Sequence, residues 1–334
     1  MDMEQEDLQF LGLFGIYKET FKLIYKLRKI LTQLTLTLIL PLSFIYLAQE
    51  PVSELLFWKI RFNEFLLHEA PPGTLKHDRL SDLVTKEWAE FALLKLAYLA
   101  FVLVFSLLST SAVVYTIACA YAARDATFGT VMRVVPRVWK RLMVTFLCAF
   151  FAFFLYNVGF GVTLFVWSAT VSDSVAGVVV FVVFLILYAA VFVYLTVIWQ
   201  LASVVTVLED SCGIAAMVKG KRLMQGKTMV TAAIFLKLNV LIFFLNIFFK
   251  IFVVYRSYRV GVVRSLGLGV LFLVVLLMTI LFTLVVQTVL YLVCKSYHHE
   301  NIDKSALSDH LGVYLGDYVP LMAKNVQMED LDHV

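Results

Sequence analysis

The chain has 334 residues, of which 61% are hydrophobic and only 16% charged, with a mean hydropathy of +0.88 and a formal net charge of +4. Soluble domains average about 45–50% apolar and about 25% charged, so this composition belongs to a membrane protein. Six prolines, fifteen glycines and four cysteines exclude disordered, collagen-like and disulfide-stapled chains.

The first thirty residues are acidic and then amphipathic, and the apolar run that follows leads to no small-residue cleavage site, so the amino terminus is expected to be retained. From Gly15 the chain reads GIYKETFKLIYKLRKIL. Lys18, Lys22, Lys26 and Lys29 recur three or four apart, with Ile16, Leu23, Ile24, Leu27 and Leu31 on the other side. That spacing predicts an amphipathic helix.

A membrane-crossing helix needs about 20 apolar residues. Twenty uncharged residues follow Lys29, twenty-eight follow Lys95, thirty-one follow Arg141, thirty-five follow Asp173 and thirty follow Arg264. A further span covers about Thr228 to Phe252, interrupted by Lys237. Six spans result. Backbone groups in lipid must bond within their own segment, and no alternating pattern of barrel strands occurs, so all six are read as helices.

The stretch between Glu50 and Glu90 is an insertion with eight acids and five bases, predicted as two helical halves around a turn at Pro71, Pro72 and Gly73. Phe57, Trp58, Phe62, Phe65 and Leu66 are expected to rest on the membrane surface or cap the bundle. His68, His77, Glu64, Glu69 and Asp78 have no recognised metal-ligand spacing and are read as a solvated face.

Two later segments resemble the first basic one. GTVMRVVPRVWKRLM from Gly129 carries Arg133, Arg137 and Lys140 against Val131, Val134, Val135, Val138 and Leu142, with a kink expected at Pro136. GIAAMVKGKRLMQGK from Gly213 carries Lys219, Arg222 and Lys227 against Ile214, Met217 and Val218. Basic stripes backed by apolar ones favour helices lying in the interface with their cations on anionic headgroups. The competing reading makes them extensions of the spans.

The expected fold is an all-α polytopic membrane helix bundle: six transmembrane helices in three repeats of one basic amphipathic interfacial helix plus two spans. A single membrane domain, 1–297, divides into repeats at about 10–124, 126–208 and 211–297, followed by an acidic tail, 298–334. Two spans separate successive basic segments, so all three face one side. That side holds fifteen Lys and Arg against nine opposite, which places both termini in the cytosol.

No HExxH, GxSxG, GxGxxG or paired-cysteine pattern occurs, and neither enzymatic activity nor a cofactor is expected. Gly220 to Thr228 imitates a phosphate-binding loop but has five residues between its glycines where four are needed, and no strand feeds it. Cys119, Cys148, Cys212 and Cys294 are read as free thiols, with Cys212 and Cys294 as candidate acylation sites at the interface. Within the spans, Lys237 is the costly charge, and Asn157, Gln200, Asn239, Asn246 and Gln287 could surround it if the fifth span packs centrally.

The opening LGLFGIYKETFKLIYKLRKILTQLTLTLILPLSF and the closing CKSYHHENIDKSALSDHLGVYLGDYVPL resemble a plant family of uncharacterised six-span membrane proteins, sometimes labelled polyadenylate-binding-protein-binding. The repeat unit is distantly similar to the membrane domain of bacterial glycerophosphodiester phosphodiesterases, whose catalytic barrel this chain lacks. The resemblance implies a plasma-membrane or endomembrane protein. The expected partners are membrane lipids, through anionic headgroups of the cytosolic leaflet, and a cytosolic protein at the acidic tail, with no nucleic acid bound directly. The favoured function is non-enzymatic lipid interaction or membrane organisation; the alternative is a transporter or channel for a small solute with a pathway near Lys237.

Overall fold

The computed structural model describes residues 11–122, 126–170, 175–255 and 262–298, and these form an all-helical bundle. We number the helices α1 (Leu13–Lys26), α2 (Arg28–Glu69), α3 (Leu75–Tyr121), α4 (Phe128–Thr170), α5 (Val175–Leu208), α6 (Ile214–Met224), α7 (Thr228–Tyr255) and α8 (Val262–Tyr297). Helices α2, α3, α4, α5, α7 and α8 are long and apolar enough to cross a membrane. The chain is an integral membrane protein by that measure.

Helix α2 departs from regular α geometry at Thr35–Ile39, where Leu40 N–H bonds to the Thr35 carbonyl five residues back. Pro41 follows at once and has no N–H to give, so a wider turn there accommodates its ring at the cost of one ladder bond. Helix α3 has 47 residues, about 70 Å at 1.5 Å per residue, more than twice the roughly 30 Å of hydrocarbon. The excess belongs to the insertion. Its two halves are unbroken continuations of α2 and α3, which pair as a helical hairpin closed at residues 70–74.

Glu87 is buried in that hairpin and accepts bonds from Asn63 Nδ2 at 2.8 and 3.0 Å, with Lys59 at 3.0 Å. Trp88 Nε1 donates to Glu64 at 2.9 Å and packs edge-on to Phe57 and Phe91. The aromatic residues therefore do not simply cap the bundle. Leu55 and Trp58 border a recess against Val253–Tyr255, while Phe62 and Phe65 stand exposed farther out.

The core sits toward one end of the bundle. Leu107–Tyr121 of α3, Val197–Leu208 of α5 and Leu284–Cys294 of α8 are buried on nearly all faces. Around these three helix ends pack α1, the first turns of α4, and α6. Farther along, Val178–Val191 of α5 is largely exposed apolar surface, as a lipid-facing helix requires. At that opposite end Lys250 pairs with Glu50 at 2.9 Å, tying α7 to α2.

The three basic segments differ in form. A break at Leu27 separates α1 from α2, and Gln225–Lys227 separates α6 from α7. The second segment is instead the start of a single helix, α4, which runs through Pro136 without interruption. Here the reading as a span extension holds. The local reason is that Gly226 sits at φ +85°, a left-handed turn that ends α6, whereas α4 has no residue in that region and Pro136 withdraws only one hydrogen bond.

Candidate functional site

Two places gather the polar residues singled out in the sequence: the basic end of the bundle and the interior between the spans. At the basic end Lys18, Lys22, Lys26, Lys29, Arg133, Arg137, Lys140 and Arg222 are exposed. Lys219 and Lys227 are not. Lys219 forms an ion pair with Glu209, and Lys227 lies over the Tyr297 ring at 5.5 Å and 3.5 Å from the Leu11 carbonyl. Both hold helices together before they can serve a headgroup.

Glu209 was visible in the sequence only as the end of an uncharged run, yet it is the centre of this end of the structure. Its carboxylate takes Lys219, Lys295 Nζ at 2.9 Å and the Tyr291 hydroxyl at 2.5 Å. Its backbone carbonyl accepts from Arg141 Nη2 at 2.7 Å, and Arg141 reaches Asp210 at 3.3 Å. Next to it, Thr145 bonds Thr206 at 2.8 Å and accepts the Gly213 N–H at 2.9 Å. Burial pushes the Glu209 carboxyl up, but the bonds from Lys219, Tyr291 and Lys295 outweigh it and hold the group below the usual carboxylate value. Glu209 thus fastens α5 to α6 and α8 through its carboxylate and to α4 through its backbone carbonyl, where the basic segments meet.

The apolar stripes of these segments face protein. Ile16, Leu23 and Leu31, and Val131, Val134, Val135, Val138 and Leu142, are buried in the main core. In α6 the buried positions are Ala216, Gly220, Leu223 and Met224, so the expected stripe of Ile214, Met217 and Val218 is displaced; Ile214 and Val218 are exposed. The reason is Gly220. A Cβ there would lie 3.2 Å from the Ala202 nitrogen and 3.3 Å from the Ile198 carbonyl, so α6 docks on α5 through its glycine face. The phosphate-loop imitation is a helix contact.

The outer face of α1 is divided. Phe14, Phe21 and Tyr25 are exposed along one line, and Lys18, Lys22 and Lys26 along the adjoining one, with Lys29 exposed in the first turn of α2. Tyr17 and Phe21 also touch Phe282 of α8, at 5.7 and 5.0 Å between ring centres. At the same end Cys212 is exposed, whereas Cys294 is buried, which removes it as an acylation candidate.

The intramembrane residues do not assemble around Lys237. Lys237 is exposed on α7 and lines neither interior recess. Lys237 is ten residues, about 15 Å along the helix, from Lys227. Gln200 and Gln287 line a central cavity of about 390 Å³ to which all six spans contribute. Asn246 adjoins it, donating to the Tyr46 hydroxyl at 3.2 Å and to the Ile242 carbonyl at 2.7 Å.

Asn157 and Asn239 border a separate recess of about 360 Å³ between α4, α5 and α7. Each donates to its own helix, to the Phe153 and Phe235 carbonyls at 2.7 and 2.8 Å, and Asn157 also accepts the Tyr188 hydroxyl at 2.9 Å. Phe146 and Trp199, 6.0 Å apart, stand between the two spaces.

Among the described residues no three His, Cys, Asp or Glu side chains come together to hold a metal ion. The family description "Domain of unknown function (DUF8558)" has a model that matches residues 1–331, essentially the whole chain. The chain belongs to DUF8558. No curated protein and no solved structure matches it. For this DUF8558 member the two recesses, the Glu209 junction and the cationic outer faces are the places where function can be read. The acidic tail from residue 299 onward lies outside the described residues.

Proposed function

We propose that this DUF8558 protein is a non-enzymatic, lipid-interacting membrane protein whose basic end engages anionic headgroups of the cytosolic leaflet. The observation that carries the reading is the divided outer face of α1, continued by Lys29 in the first turn of α2. Phe14, Phe21 and Tyr25 offer rings to the acyl boundary beside Lys18, Lys22, Lys26 and Lys29, which offer ammonium groups to phosphates. Arg133, Arg137, Lys140 and Arg222 extend the cationic rim along α4 and α6.

The apolar stripes of α1 and α4 are spent on the core, so these helices are held at the boundary by the bundle and need not insert on their own. The excess of Lys and Arg on this side favours cytosolic termini in a plasma membrane or endomembrane. A pathway beside Lys237 has less support, because that residue stands outside both recesses.

The test uses the full chain in phosphatidylcholine vesicles with trace spin-labelled lipid. Each cation near an anionic surface contributes about 1 kcal/mol at low salt. Spin-labelled phosphatidylserine should therefore associate several-fold more than spin-labelled phosphatidylcholine, with the preference shrinking in high salt. Replacing Lys18, Lys22, Lys26 and Lys29 together by Gln should remove most of it. Equal association of the two lipids with the unaltered protein refutes the reading.

A further inference from the structure

We infer that the central cavity is a binding site for one uncharged lipid, a molecule with an apolar body and a hydroxyl or carbonyl oxygen placed against Gln287. At about 390 Å³ the cavity falls within the range of small-ligand sites, roughly 300–1,000 Å³. It lies in the middle of the bundle: Gln287 is eight residues, about 12 Å, along α8 from Lys295. Its walls are mainly Leu, Val, Ile, Phe and Trp, and no charged side chain is among them. A phosphate or ammonium group entering here would lose its hydration with no counter-charge, which excludes ions and ionic headgroups.

The polar groups on the wall specify what is missing. Thr110, Ser203 and Thr283 donate their hydroxyls to carbonyls of their own helices, Ser106, Trp199 and Thr279, at 2.8–2.9 Å. Tyr46 accepts from Asn246, which leaves its own O–H uncommitted. Neither Gln200 nor Gln287 has a hydrogen-bond partner among the described residues. Gln287 is only 1% exposed, and its buried Nε2 is an orphan donor.

An unpaired buried donor is costly, so a ligand that brings it an acceptor is favoured. Water meeting the polar groups would still lie against a wall that is mostly hydrocarbon, which an apolar body covers better. A lipid hydroxyl or ester oxygen supplies the acceptor once the Gln287 amide turns toward the cavity it borders, while the lipid's hydrocarbon fills the rest. Leu99 and Ser106 of α3 line the cavity and are exposed, so entry is from the side, at the depth of the acyl chains.

The site is independent of the cationic rim, and its test is separate. Full-length protein in phosphatidylcholine nanodiscs is titrated with radiolabelled cholesterol and, in parallel, radiolabelled 1,2-dioleoylglycerol; the two arms distinguish a sterol hydroxyl from a glyceride. The expected result is saturable binding of at least one probe at one per chain, unaffected by added phosphatidylserine. Gln287→Leu should weaken it about tenfold, the value of one hydrogen bond. Ser106→Trp, at an exposed position in the opening, should block it without touching Gln287, and decides the matter alone if the first variant does not fold. No saturable binding of either probe, wild-type binding in Ser106→Trp, or displacement by phosphatidylserine overturns the assignment.

Discussion

Replacing Glu209 by Gln removes one negative charge from a site that holds two ammonium groups and a phenol, and the structure allows the cost to be worked. Lys295 Nζ is 2.9 Å from the carboxylate, Lys219 is paired on the other oxygen, and the side chains of Lys219, Lys295 and Glu209 are 28%, 18% and 13% exposed. Removing one partner of a fully buried pair costs about 3–5 kcal/mol because the other charge is stranded. Here both cations keep some contact with solvent, and Gln retains an acceptor for Tyr291, so about 2–3 kcal/mol is expected. That is a 30- to 150-fold change in the unfolding constant.

The assay is denaturant unfolding of the purified protein in mild detergent at pH 7 and at pH 4. The Glu209 carboxyl is held below its ordinary value, so its stabilisation is complete above the unfolded-state value of about 4.5 and is lost as pH falls through the folded-state value. The unaltered protein should therefore approach the variant in stability on acidification, while the variant itself shows less dependence over that window. A Glu209→Gln protein within about 0.5 kcal/mol of wild type at pH 7 would refute the junction's role.

Two further outcomes follow from single contacts. Gly220→Ala should destabilise by about 1–3 kcal/mol, since its new Cβ meets backbone of α5 that cannot move aside, whereas Gly159→Ala, with nothing within 4 Å, should be neutral or stabilising; the same unfolding assay compares them. In detergent, a maleimide should label Cys212 quickly while buried Cys119 and Cys294 stay protected, and Cys212→Ser should remove the fast phase seen by mass spectrometry.

The spans were legible because lipid imposes a length and forbids unpaired charge, a constraint that acts on each segment separately. The exposed cations of α1 and the buried stripe of α4 were legible for a similar reason: helical period assigns faces without knowledge of neighbours. What that period does not say is whether a neighbouring face is lipid or protein. In α6 it misassigned Ile214 and Val218, because a glycine at 220 lets α5 approach more closely than any apolar side chain would.

The polar interior shows the same limit in a different form. Lys237 drew attention because a charge within a span is expensive, but the structure leaves it exposed on the surface of α7, outside both recesses. Gln287 has a shorter, uncharged side chain, so once α8 is surrounded it has no route to water. Glu209, one residue past the end of α5, has the reverse fate. It lies where solvent should screen it, yet cations and a phenol from two other helices close over it. Sequence separations of 82 and 86 residues carry those contacts to Tyr291 and Lys295, and no local pattern encodes a partner at that distance. The significance of a polar residue in this bundle is thus set by whether neighbouring helices close over its side chain, more than by how far into a span it is written.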